Sequence, residues 1–148
     1  MLSQLIDAVL PKSGKTQLSE QPITVSISRH DLYKRRWRAL ADDGIELAYA
    51  EIPDQKITDG TIVRAGAKNY RVAQISEEVI AVELPDDPSM ASKIGWYFGN
   101  RHIPIEVRET EIVVEEFPTL CESLSRIGIP FTRRTDILRC PAHSEHRH

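Results

Sequence analysis

The period of the apolar residues changes once along this chain, and that change limits the fold more than any other feature. From Ile23 the period is two: Ile23, Val25 and Ile27 alternate with Thr24, Ser26 and Ser28, as a strand with one buried face requires. A second strand follows at about 33–41, and Asp42-Asp43-Gly44 then offers residues that tolerate positive φ in a tight hairpin before Ile45, Leu47 and Tyr49 resume the alternation. Gly60 precedes a strand at Thr61-Ile62-Val63-Arg64, and Gly66-Ala67-Lys68-Asn69 turns it into Tyr70-Arg71-Val72-Ala73-Gln74-Ile75. A polar stretch at 11–22 sets a short amphipathic N-terminal segment apart from this sheet.

After Glu77-Glu78 strands alternate with helices. Val79 to Leu84 reads as a strand, and Pro85-Asp86-Asp87-Pro88 as an acidic helix start. Met90, Ile94, Tyr97 and Phe98 fall on one helical face, with Gly99-Asn100 as the stop. Two strands are expected at about 103–108 and 110–115, then a helix carrying Phe117, Leu120, Leu124 and Ile127, opened by Pro118 and closed by Gly128, then a strand over 129–134. Cys121 should pack on the inner face of that helix. The order β-α-β-β-α-β is that of the ferredoxin-like split unit. Nine prolines and seven glycines suit such short elements. The reading is therefore α+β: an N-terminal all-β module over residues 1–76, a ferredoxin-like βαββαβ domain over 77–135, and a flexible His-containing tail over 136–148.

Charge narrows the partners. The net charge is -3, with 11 basic and 9 acidic residues in positions 1–75 and 8 basic and 13 acidic in 76–148, so no strong global field exists to hold nucleic acid or an anionic membrane. The basic run Arg29, Lys34, Arg35, Arg36 and Arg38 surrounds Trp37. On a strand, Lys34, Arg36 and Arg38 share one face and Trp37 and Ala39 the other, the pattern of a solvated sheet face over a core rather than of an RNA platform. Two cysteines, Cys121 and Cys140, are too few for a disulfide framework or a four-thiolate zinc site and fit a reducing compartment. Asp7 interrupts the short apolar start, which lacks a basic leader, and no segment reaches the roughly 20 apolar residues of a membrane span, so a cytoplasmic location is expected.

No phosphate loop, nucleophile elbow or His-Glu-x-x-His string is present, and Asp86-Asp87 reads as helix N-terminal charge, so an enzyme is not expected. The histidines point elsewhere. Of five, His30 and His102 are isolated, whereas His143, His146 and His148 fall within the last six residues. Neutral imidazole suits nickel, copper and zinc, so a histidine tail can close around an ion held by another residue. Cys140-Pro141-Ala142-His143 would form a Cys-x-x-His half-site of the kind that favours zinc or copper(I). His102 lies at a helix-strand junction, between Gly99-Asn100 and Ile103-Pro104, where rigid elements would hold its ring near the surface. One imidazole cannot complete a coordination sphere, but two copies related by a twofold axis, joined by tail histidines, would do so. A metal-independent interaction module with incidental histidines is the alternative.

Four stretches carry a family resemblance: Gly99-Asn100-Arg101-His102-Ile103-Pro104-Ile105, the hairpin Arg36-Trp37-Arg38-Ala39-Leu40-Ala41-Asp42-Asp43-Gly44, the Asp59-Gly60 turn and the histidine-bearing tail. Over roughly residues 23–134 the chain resembles the UreE family of urease accessory proteins, which are nickel metallochaperones. The resemblance implies a partner-binding β domain, a ferredoxin-like dimerisation domain, and Ni(II) bound at the homodimer interface by His102 of two protomers with His143, His146 and His148 of the tail. It implies delivery of that nickel to the urease accessory GTPase and the urease activation complex, with Zn(II) or copper as ions the same donors accept in vitro. Glu115, Glu116, Phe117 and Pro118 stand where some relatives carry further histidines, so no peripheral histidine site is expected.

Overall fold

The computed structural model describes residues 2–11 and 21–142. The chain divides between Ile75 and Ser76 into two compact units, and the described residues hold ten strands and three helices in two sheets, a mixed α and β protein.

The first unit is built from β1 (Ser3–Val9), β2 (Ile23–Ile27), α1 (Arg29–Leu32), β3 (Arg36–Leu40), β4 (Glu46–Ala50), β5 (Ile62–Ala65) and β6 (Lys68–Gln74). Its six-stranded sheet has the order β2-β6-β5-β1-β4-β3. The β2-β6 and β1-β4 pairs are parallel and the others antiparallel. The two edges approach each other where Val25 bridges Ala41 and the Asp42 N–H donates to the Thr24 carbonyl at 2.9 Å. Alternate residues of every strand point inward: Ile6, Val25, Ile27, Trp37, Leu47, Tyr49, Val63, Tyr70 and Val72 are buried in one core. Trp37 and Tyr49 sit opposite each other in register with ring centroids 5.3 Å apart. On the outer face Arg35 and Arg38 pair with Glu51 and Glu46 at 3.5 and 2.9 Å, a solvated ion-pair surface.

Two expectations for this half need correcting. The N-terminal segment is not set apart; β1 lies in the middle of the sheet, pairing with β4 through Ser3, Gln4 and Leu5 and with β5 through Ile6, Ala8 and Val9. A register shift lies between Ile6 and Ala8, and an exposed Leu5 beside a half-buried Gln4 hides from the sequence the alternation that would have revealed the strand. The strand expected from residue 33 starts at Arg36, because Ser28 caps the short α1 by accepting from the Asp31 N–H at 3.2 Å. The hairpin at Asp42-Asp43-Gly44 forms with Gly44 at φ 83°, and the Asp43 carboxylate also accepts from Lys68 and the Tyr70 hydroxyl at 3.1 and 3.0 Å.

The second unit runs β7 (Glu77–Glu83), α2 (Pro88–Asn100), β8 (Glu106–Val107), β9 (Glu111–Glu115), α3 (Pro118–Ile127) and β10 (Thr132–Asp136). Its antiparallel sheet has the order β10-β7-β9-β8. One face, through Ile80, Val82, Ile112 and Val114, packs against Ile94 and Phe98 of α2 and Leu120, Cys121 and Leu124 of α3. The other face, through Val79, Ala81 and Val113, is covered by Leu138 and Cys140. The central strands therefore read as continuous apolar runs rather than alternating ones. The flexible tail expected from residue 136 thus begins with a packed segment: Leu138 is fully buried and Cys140 nearly so.

Candidate metal centre

The backbone of α2 sets the position of His102. Asp87 caps the helix by accepting from the Ser89 N–H at 3.0 Å, and Pro88 occupies the first turn, where its missing N–H costs nothing. Ile94 and Phe98 anchor the buried face. At the other end Gly99 and Asn100 remain helical, so they are not the stop expected from the sequence. The stop is His102 itself, which adopts the left-handed conformation with φ 56°. Its N–H donates to the Gly99 carbonyl at 3.0 Å, and the Ile103 N–H donates to the Phe98 carbonyl at 3.1 Å. These two bonds make a Schellman cap, in which Ile103 packs into the same core as Phe98. Pro104 then prevents the helix from resuming.

That position usually belongs to glycine, because a Cβ in the left-handed region crowds the following carbonyl at a cost of about 1–2 kcal/mol. Histidine is among the side chains that visit it more readily, yet an imidazole here remains a local expense in stability. The ring is exposed, and among the described residues His102 belongs to no group of three converging donor side chains. An ion bound there by three or more side chains needs ligands from a second copy or from residues outside the described ones.

Around the cap, the Arg101 guanidinium lies over the Tyr97 ring, 4.5 Å from its centroid, and donates to the Ser123 hydroxyl of α3 at 3.4 Å. Tyr97 also lines a groove of about 690 Å³ between α2, the end of β7 and residues 127–130. Leu84, Met90, Trp96, Ile127 and Ile129 form its apolar walls. Met90, Trp96 and Ile127 are exposed, Trp96 at 68%, and the Tyr97 hydroxyl is buried without a hydrogen-bond partner. Met90, expected on one helical face with Ile94 and Tyr97, lines the groove with them at its exposed end.

Of the expected tail ligands, His143, His146 and His148 lie outside the described residues. Cys140 is described, and its side chain is buried against Val79, Ala81 and Val113 rather than presented for a Cys-x-x-His half-site. Ion pairs fix the segment that leads there. Arg108 donates to Asp136 at 2.8 Å, to both oxygens of Glu106 at 3.0 and 3.1 Å, and to the Ile137 carbonyl at 3.0 Å. Arg134 grips Glu111 through both terminal nitrogens, and the Arg139 N–H donates to Glu106 at 2.7 Å. The hydrogen bond from Arg108 holds the Asp136 carboxyl below the usual carboxylate range, and that from Arg134 does the same for Glu111. Burial pushes Glu106 up, but Arg108 and the Arg139 N–H more than offset it. Sequence reasoning missed this network; the recurring Arg and Glu pairs on β8, β9 and β10 were its only visible sign.

Residues 77–148 match the model of the UreE urease accessory protein, C-terminal domain. The urease accessory protein UreE of Bacillus sp. (strain TB-90) is 30% identical over 103 residues, covering 70% of each chain. That of Geobacillus kaustophilus (strain HTA426) is 28% identical over 125 residues, 84% of each. That of Staphylococcus aureus (strain MRSA252) is 28% identical over 133 residues, 90% of this chain and 89% of its own. The chain therefore belongs to the family of the urease accessory protein UreE, an accessory protein of urease maturation rather than an enzyme.

Proposed function

We propose that this protein is a homodimeric nickel metallochaperone that binds Ni(II) through His102 of two protomers and delivers it to the urease activation complex. The observation that carries the reading is the left-handed His102 cap: an exposed imidazole stands where glycine would be the more stable residue. Imidazole nitrogen suits Ni(II), and would accept Zn(II) or copper in vitro. Residues 77–135 act as a ferredoxin-like metal-binding and dimerisation domain, a reading supported by the order β10-β7-β9-β8, in which each helix joins strands separated by one other strand. Residues 1–76 serve as the partner-binding domain, and His143, His146 and His148 of the tail complete the coordination sphere.

A twofold axis beside α2 is supported by the apolar groove along that helix, whose exposed Met90, Trp96 and Ile127 exceed the scattered apolar residues of an ordinary surface. A carrier needs exchangeable ligands, and imidazoles shared between His102 and the tail give the ion up more readily than a closed thiolate site. The receiving partner is the urease accessory GTPase, in the cytoplasm. No helix among the described residues is long and apolar enough to cross a membrane.

Calorimetric titration of the wild type and of His102→Ala with Ni(II) tests the proposal. The first ion per dimer should bind the wild type and be lost from the variant. Undiminished binding by the variant would remove His102 from the site, whereas dimerisation and partner binding indifferent to Ni(II) and to a chelator would favour a metal-independent interaction module.

A further inference from the structure

We infer that Arg101 is a positioning residue for His102: its guanidinium, stacked on Tyr97 and hydrogen-bonded to Ser123, holds the left-handed cap in one form and so presets the imidazole for an ion. The metal half of this inference rests on the function proposed above. Three observations support it. Arg101 is the residue immediately before the left-handed one, and its own backbone, at φ -96° and ψ 5°, lies in the sparsely populated bridge region. Its side chain is exposed, yet it turns back over Tyr97, one helical turn earlier, instead of extending into solvent. The same guanidinium reaches Ser123 on α3, so the end of α2 is tied to a second helix just where the chain reverses.

The alternative role for this charge has the opposite sign. A cation next to a metal ligand repels the ion, so electrostatics alone predicts that removing Arg101 strengthens binding. Ordering predicts the reverse, because a cap that samples other conformations lowers the fraction of molecules able to bind and raises the apparent Kd in proportion.

The experiment uses the full chain and two readouts, calorimetry with Ni(II) and amide hydrogen exchange at Ile103 in the metal-free protein. Arg101→Gln and Tyr97→Leu should each weaken the first Ni(II) by roughly three-fold per imidazole, about ten-fold at a site built from two, as expected for loss of an exposed cation–π contact. Both should speed Ile103 exchange, and the double variant should be no worse than the more affected single one. Tyr97→Phe keeps the ring and serves as the conservative rescue of both readouts. Tighter binding by Arg101→Gln would show that repulsion dominates and would overturn the inference. Unchanged Ile103 exchange, or faster exchange with unchanged affinity, would do the same. If the wild type takes up no Ni(II), the proposed function fails, while the exchange rates still decide whether Arg101 holds the cap.

Discussion

The Ile103 N–H reaches back to the Phe98 carbonyl at 3.1 Å, closing the last turn of α2 around His102. Through this bond the exposed ring is fixed to a fully buried aromatic residue, so the candidate ligand sits on a rigid support although it faces solvent.

Because His102 has φ 56°, His102→Gly should keep or raise stability by up to about 1 kcal/mol, whereas His102→Val should lower it by about 1–2 kcal/mol. Both should lose the first Ni(II). Urea unfolding with parallel calorimetry checks this. A His102→Gly protein clearly less stable than the wild type would show that the ring supports the fold.

Trp96→Glu should convert the proposed dimer to a monomer without loss of secondary structure, since Trp96 is 68% exposed and supports no core. Sedimentation velocity gives the outcome. A variant that remains dimeric places the interface elsewhere.

Arg108→Ala removes the donor to the Ile137 carbonyl and leaves Asp136 and Glu106 with fewer partners. The segment bearing Leu138 and Cys140 should then open more often, and the Cys140 thiol should react with a thiol reagent at least roughly ten times faster under native conditions. Peptide mapping separates it from Cys121, which is buried on the inner face of α3.

Acid should act on the same network. Asp136 and Glu111 have folded pKa values below their unfolded ones, so the stability they contribute is complete above the unfolded range of about 4 and is lost as pH falls through the folded values. Thermal midpoints should therefore hold steady from about pH 7 to about pH 5 and drop below about pH 4, less steeply in Asp136→Asn.

In the first unit, burial foremost and then the hydrogen bond to Asp43 raise the Tyr70 phenol to about 12. Spectrophotometric titration of Asp43→Asn should show this group ionising at lower pH, though still above an exposed tyrosine, because burial remains.

Much of this structure was legible where one face of an element is buried. Val25, Leu47 and Tyr70 follow the period of two and Ile94 and Phe98 the helical period, and each is in the core. The misses have physical causes. An outward Leu5 beside a half-buried Gln4 hid β1, and Ser28 and Asp31 took residues from the start of β3 by capping a helical turn. Leu138 and Cys140 lie two residues apart, an extended pattern that could have been read, but the charged residues beside them suggested a tail. His102 was visible as a residue at a helix end, whereas its left-handed backbone was not, because the neighbouring Gly99 and Asn100 are the more usual residues for a helix stop.

The place of β1 has a consequence for assembly of the first sheet. It joins β5 to β4, so the sheet is not continuous until residues 3–9 have met partners some 40 to 60 positions later. Until then both neighbours present unpaired edges, which are templates for intermolecular pairing. Closure over such separations is slow, and variants that weaken β1 should show themselves first as aggregation during refolding rather than as loss of metal binding.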